Sequence, residues 1–147
     1  MTDTASERIR VDASADRCYD VAIDFESYPE WARDVREAKI LETDGEGRGT
    51  KVEYRAAALG KSVRYVLQYD YTEAPVSFSW TLVEGDMLRR LDGTYRFEAE
   101  GPSSTRVHYD LAVDMSMPLP GLLKRRAAGL IMGSALKELK KQVEKVK

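Results

Sequence analysis

Between residues 61 and 71, Val63, Tyr65, Leu67, Tyr69 and Tyr71 fall on one parity and Arg64, Gln68 and Asp70 on the other. In an extended chain successive side chains point to opposite faces, so this spacing predicts a strand with one apolar, aromatic-rich face. The same pattern recurs along the middle of the chain. Val52, Tyr54, Ala56 and Ala58 oppose Lys51, Glu53 and Arg55. Phe78, Trp80 and Leu82 share a parity, as do Leu91, Tyr95 and Phe97. Val107, Tyr109, Leu111 and Val113 oppose Arg106, His108 and Asp110. Turn signals separate these runs: Asp44-Gly45-Glu46-Gly47, Leu59-Gly60, Glu73-Ala74-Pro75, Gly85-Asp86 and Gly101-Pro102-Ser103. Six strands are therefore expected between Glu37 and Met117.

The parities can be checked against one another, because directly opposed residues of an antiparallel pair share a face. A turn at Leu59-Gly60 pairs Tyr54 with Tyr65 and Ala56 with Val63. A turn at Gly85-Asp86 pairs Trp80 with Leu91 and Leu82 with Arg89. A turn at Gly101 to Ser103 pairs Tyr95 with Tyr109 and Phe97 with Val107. In all three hairpins the apolar faces meet, which predicts an antiparallel meander.

The flanks read differently. Ile9 and Val11 alternate with Arg8 and Arg10, a short first strand. Ser14 is placed as a helix N-cap with Asp16 in the first turn. Cys18, Val21, Ala22 and Phe25 then follow at helical spacing. Cys18 on that stripe reads as a small buried hydrophobe rather than a nucleophile. Pro29 suits the first turn of a second short helix ending near Val35. The last stretch, Leu119 to Val146, carries an apolar stripe at Met132, Leu136, Leu139, Val143 and Val146, spaced 4, 3, 4 and 3 residues. It predicts a long amphipathic helix with Lys137, Lys140, Lys141 and Lys145 on its other faces.

The 147 residues suit a single domain, 1–147, of the α+β class. A net charge of -2 offers no basic field for nucleic acid. One cysteine permits no internal disulfide and fits a reducing compartment, and no secretory leader or membrane span is read, so a cytoplasmic location is expected. One cysteine and one histidine do not make a structural zinc site, and no cofactor is expected. The run Gly45-Glu46-Gly47-Arg48-Gly49 lacks the Lys-Ser/Thr ending of a phosphate loop. His108 has outward parity, between Arg106 and Asp110. That leaves no serine-histidine-acid set and no catalytic residue to nominate.

One face of the sheet holds most of the aromatics, and the long helix supplies the only other large apolar surface. Two readings stand: a solid aromatic core, or a cavity. The tyrosines Tyr54, Tyr65, Tyr69, Tyr95 and Tyr109 suit a cavity, because each buried hydroxyl needs a partner. Among the strong bases only Arg89 has inward parity, with Met87 and Leu91. Its other reading is a strand-end arginine turned to solvent. Met115, Met117, Leu119, Leu122 and Leu123 precede Lys124, Arg125 and Arg126. This segment is expected to form the ligand's entrance, and its Leu122, Leu123, Lys124, Arg125 and Arg126 to make transient contact with an anionic membrane. The other reading is an ordinary helix entry with solvated basic residues.

The order of strand, two short helices, six-stranded meander and long helix resembles the helix-grip fold of the START and birch-pollen-allergen-like superfamily. The closer likeness is to its bacterial polyketide cyclase/dehydrase and coenzyme-Q-binding branch. Asp24-Phe25-Glu26-Ser27-Tyr28-Pro29-Glu30-Trp31, the strand Ala38-Lys39-Ile40-Leu41, and Pro118-Leu119-Pro120-Gly121-Leu122-Leu123-Lys124-Arg125-Arg126 carry it. The resemblance covers nearly the whole chain and implies an apolar cavity between sheet and helix. The ligand-contacting candidates are then Trp31, Tyr54, Tyr65, Leu67, Tyr69, Phe78, Trp80, Arg89, Leu91, Tyr95, Tyr109 and Leu111. The long helix adds Leu123, Ala127 and Leu130. Members with aromatase/cyclase activity place an arginine and a serine among the cavity aromatics, whereas the fourth strand here has Tyr65, Leu67 and Tyr69. The expectation is a carrier or sensor of a hydrophobic small molecule, lipid-, quinone- or polyketide-like. The alternative is a polyketide cyclase/dehydratase enzyme. A third reading is a partner-binding protein using the sheet edge or the basic helix.

Overall fold

Three hairpin registers decide how the chain folds back on itself. The structure is a computed structural model, described for residues 3–58, 61–116 and 134–145. Seven strands form one antiparallel sheet: β1 (Asp3–Val11), β2 (Val35–Thr43), β3 (Gly49–Ala58), β4 (Lys61–Asp70), β5 (Ser77–Gly85), β6 (Leu88–Gly101) and β7 (Ser104–Met115). Their spatial order is β1-β7-β6-β5-β4-β3-β2. The six strands after β1 are thus a meander, and β1 adds to its far edge against β7.

In the β3–β4 hairpin Tyr54 pairs with Tyr65 and Ala56 with Val63. In the β6–β7 hairpin Tyr95 pairs with Tyr109 and Phe97 with Val107. Both registers are the expected ones. The β5–β6 register differs by two residues: Trp80 pairs with Gly93 and Phe78 with Tyr95. The physical reason is local. The turn falls on Asp86 and Met87, one residue later than expected, with Met87 at a φ of 58°, and moving a two-residue turn by one residue moves the register by two. The two strands pair only from Ser77 to Trp80. Beyond that point the Leu82 N–H donates to the Asp92 carboxylate, 3.0 Å away, instead of to a strand carbonyl.

The segment joining β1 to β2 must reach from one sheet edge to the other. It does so with helix α1 (Ala15–Ile23), a 3-10 turn (Phe25–Ser27) and helix α2 (Tyr28–Trp31). Ser14 caps α1 by accepting from the Arg17 N–H. Cys18, Tyr19, Val21 and Ala22 are buried against the sheet, with Phe25 behind them. α2 is shorter than expected: Pro29 lies in its first turn, but it ends at Trp31 and extended chain has resumed by Val35.

The described part of the carboxy-terminal helix, α3, covers 134–145. Its Leu136, Leu139 and Val143 are 0–3% exposed and belong to the same core as the aromatic sheet face. Met132 and Val146, also expected on this stripe, lie outside the described residues. Polar contacts pin the helix to the first edge strand and its exit. The Lys140 ammonium donates to the Arg10 carbonyl at 3.0 Å, and the Asp12 N–H to the Glu144 carboxylate at 2.7 Å. The opposite end of the sheet is closed by the β2–β3 turn. Arg48 is ion-paired with Asp44 and Glu46, each at 2.8 Å, and its guanidinium lies 4.5 Å from the centre of the Tyr71 ring. The Tyr71 hydroxyl donates to the Gly49 carbonyl at 2.6 Å.

Candidate functional site

Period-two alternation turns Tyr54, Tyr65, Leu67, Tyr69, Phe78, Trp80, Tyr95, Tyr109 and Leu111 toward one another on the face that α3 covers. They do not fill it. The space they leave is a cavity of about 180 Å³, lined by these residues together with Tyr28, Trp31, Val63, Leu88, Leu91 and Met115. Bulky rings on a twisted sheet can touch neighbours along the sheet without meeting across it. The ring contacts follow the sheet in this way. Tyr95 and Tyr109 centroids are 4.5 Å apart, Tyr54 and Tyr65 5.3 Å, Trp80 and Tyr95 5.5 Å, and Trp80 and Tyr109 5.7 Å.

The polar chemistry of the wall is phenolic. Tyr54 and Tyr69 bond hydroxyl to hydroxyl, and the Tyr28 hydroxyl donates to the Ala22 carbonyl. Tyr65, Tyr95 and Tyr109 line the cavity, and their hydroxyls make no hydrogen bond to a described residue. Burial pushes all six phenols up from their ordinary range. Tyr109 is raised further by its neighbours Tyr95 and Tyr65. At neutral pH these groups are therefore uncharged hydrogen-bond donors and acceptors, and none is a phenolate base.

The rim is built by the α2–β2 connection and α3. Trp31, Ala32, Asp34 and Val35 face Ser134, Ala135 and Glu138 across it. Asp34, one of these lining residues, is exposed. The Arg33 N–H donates to the Glu138 carboxylate at 3.1 Å, and the Arg33 guanidinium lies 3.7 Å from the same oxygen. Asp34 and Glu138 are the only carboxylates among the described lining residues, which include no lysine, arginine or histidine.

Of the candidates read from sequence, Trp31, Tyr54, Tyr65, Leu67, Tyr69, Phe78, Trp80, Leu91, Tyr95, Tyr109 and Leu111 all lie on this wall. Arg89 does not. The bulge between Leu88 and Arg90 reverses the parity, putting Leu88 inside and Arg89 in solvent, and Met87 is exposed as well. The signal was in the chain: Leu88 and Leu91 lie on opposite parities, so both can face inward only if the strand is bulged between them. Tyr28, Leu88 and the rim acids Asp34 and Glu138 were not anticipated, and Met115, expected at the entrance, lies on the wall. Tyr28 sits in a helical turn, where strand parity says nothing. Leu123, Ala127 and Leu130 lie outside the described residues, as do Leu122, Lys124, Arg125 and Arg126 of the expected entrance and membrane contact.

Two other side chains are accounted for away from the cavity. His108 pairs with Glu98 at 2.9 Å on the outer face, and that hydrogen bond holds the Glu98 carboxyl below its usual range. Cys18 is fully buried in α1, and burial pushes its thiol up. Among the described residues no cluster of three histidine, cysteine or acidic side chains could hold a metal ion. No helix among them is long and apolar enough to cross a membrane.

Comparison with known proteins agrees with this architecture. The family model described as polyketide cyclase/dehydrase and lipid transport matches residues 2–144. Among solved structures, a START superfamily protein from Mycobacterium smegmatis superposes with a TM-score of 0.91 at 26% identity, over 98% of this chain and 99% of that one. The Zhui aromatase/cyclase from Streptomyces sp. R1128 gives 0.84 at 15% identity, over 99% and 95%. A protein from Thermus thermophilus gives 0.80 at 25% identity, over 95% and 96%. Among curated proteins, none matches the sequence. The antiparallel sheet around a carboxy-terminal helix, with short helices after the first strand, is the helix-grip fold.

Proposed function

The chain belongs to the polyketide cyclase/dehydrase and lipid transport family, and we propose that it is a noncatalytic carrier or sensor of one hydrophobic small molecule, lipid-, quinone- or polyketide-like. One observation carries this reading. Tyr65, Tyr95 and Tyr109 line an apolar cavity with hydroxyls that make no bond to a described residue. These hydroxyls open into the cavity rather than being sealed in protein, and a ligand oxygen there would give one of them a partner. The remaining wall is aromatic and aliphatic, the lining that takes up an apolar body.

Size and charge narrow the ligand. An apolar cavity of about 150 Å³ is sufficient for benzene, so about 180 Å³ takes a compact body of one ring or two fused rings, or a short acyl segment of a larger molecule. Chemistry on that ligand would need an acid or base beside it. The phenols are held neutral, and the two carboxylates lie on the rim, where Glu138 is already engaged by Arg33. Those features favour binding over cyclisation or dehydration.

The test is titration with 2-naphthol and with naphthalene, followed by tryptophan emission. Saturable binding of both is expected, with 2-naphthol tighter by about 2- to 10-fold, the worth of one hydrogen bond of ~0.5–1.5 kcal/mol. A Tyr95→Phe/Tyr109→Phe double variant should keep naphthalene and lose most of the difference. Failure of both probes to bind saturably would overturn the reading.

A further inference from the structure

Trp80 lies against a position that has no side chain. Its register partner on β6 is Gly93, and Gly93 in turn pairs with Leu111 on β7. A Cβ placed at Gly93 would sit 2.4 Å from Trp80 Cζ2, 2.7 Å from Trp80 Cε2 and 2.9 Å from the Asp110 carbonyl oxygen. Ordinary contact begins near 3.4 Å, so a methyl group there forces something to move by about 1 Å.

What can move is set by the surroundings. The Asp110 carbonyl belongs to the β7 backbone, which is paired on both sides with β1 and β6, so the sheet does not yield. The indole is hemmed in along the sheet by Phe78 at 6.0 Å, Tyr69 at 5.9 Å, Tyr109 at 5.7 Å and Tyr95 at 5.5 Å between ring centres. Among the described residues, the direction left open to it is the cavity, which Trp80 lines. The glycine is also where β5 and β6 stop pairing, and beyond it the Leu82 N–H donates to the Asp92 carboxylate.

We infer that Gly93 is the specificity-determining residue of the cavity: by giving up its own side chain it lets the Trp80 indole lie flat as the floor, and any larger residue there would drive the indole into the ligand's space. This rests on the cavity being the binding site. It adds that the largest ligand accepted is set by a residue that need not touch the ligand. The class it selects is planar and ring-sized, since the floor is a flat indole with Tyr95 and Tyr109 beside it.

The experiment compares wild type, Gly93→Ala, Trp80→Leu and Gly93→Ala/Trp80→Leu for naphthalene binding. Each is labelled with 5-fluorotryptophan so that the Trp80 resonance, assigned by its loss in Trp80→Leu, reports the ring's position without ligand. Gly93→Ala should shift that resonance and weaken naphthalene at least tenfold. In the Trp80→Leu background the same change should alter affinity less than threefold, because the group to be displaced is gone. If wild type binds and Gly93→Ala binds equally, or if the glycine change costs the same in both backgrounds, the inference falls and the cavity reading stands. An unfolded Gly93→Ala protein would also sink it, since the ring would then have no way into the cavity. If wild type fails to bind, the cavity reading falls, and this inference with it.

Discussion

The hydroxyls of Tyr54 and Tyr69 meet at 2.6 Å, although the two residues are not register partners. Tyr54 faces Tyr65 across the β3–β4 ladder, and Tyr69 lies four residues farther along β4. The bond therefore crosses the ladder on a diagonal and ties the cavity wall together through side chains alone. Tyr69 also lies 4.3 Å from Phe25 between ring centres, which links the wall to the turn after α1.

Removing either hydroxyl should strand the other in an apolar setting. Tyr54→Phe and Tyr69→Phe are each expected to cost about 1 kcal/mol of unfolding free energy. The double variant should cost about the same as one single, not the sum, because each change breaks the same bond. Urea unfolding of the three variants measures this. Strict additivity would show that the two hydroxyls do not depend on one another.

Alkaline pH should weaken the fold through the buried phenols. Burial raises Tyr54, Tyr69, Tyr95 and Tyr109 well above the ordinary 10.0. Below pH 10 they are neutral in both states, and their contribution is complete. Above it the unfolded chain sheds protons that the folded protein retains, so stability falls as pH rises toward the folded values. Each phenol contributes a slope of up to about 1.4 kcal/mol per pH unit. Denaturant midpoints should stay flat with respect to these groups to about pH 9 and drop steeply beyond pH 10. Ultraviolet absorbance of phenolate from these four at pH 10 in the folded protein would contradict the burial.

Leu139 holds α3 to the sheet. It is 1% exposed and packs in the same core as Val11, Phe25 and Val143. Leu139→Ala should cost about 2–5 kcal/mol, a large part of the ~5–15 kcal/mol available to a domain. A chemical melt measures it. A loss under about 1 kcal/mol, well below that range, would mean that the helix is not part of the core.

Arg89 should be dispensable for binding, because the bulge turns it to solvent. Arg89→Gln is expected to leave 2-naphthol affinity within twofold of wild type. A tenfold loss would return the arginine to the cavity and reopen the case for catalysis.

Most of the cavity wall was legible because alternation is a strict rule. Once Tyr54 and Tyr65 share a face, Leu67 and Tyr69 must join them, and Tyr95 with Tyr109 follow from the same argument on β6 and β7. The rule failed where the backbone departed from it. At β5–β6 the expected pairing of Trp80 with Leu91 assumed a turn at Gly85-Asp86. The turn forms one residue later, on Asp86 and Met87 with its positive φ, which moves the register by two, and a separate bulge against β7 at Leu88 turns Arg89 out. Parity also cannot place residues outside strands, so Tyr28 and the rim of Asp34 and Glu138 depended on how α2 and α3 meet. The end of α2 was missed for a related reason. Nothing in the residue types at 32–34 forbids another helical turn, and it is the start of β2 pairing at Val35 that stops it.

The sheet order carries a cost during synthesis. β1 is made first, yet its partner β7 is among the last strands to appear: Ile9 pairs with Val107. At about 5–20 residues per second, the nascent chain carries β1 unpaired for roughly 5–20 s while the strands between are translated. A waiting strand is a template for pairing with the wrong chain. Glu7, Arg8 and Arg10 place charges in its second half, where Ile9 stands between two arginines. Replacing those charges with β-branched apolar residues would leave the finished fold nearly untouched, yet should send newly made protein into aggregates before its last strand leaves the ribosome.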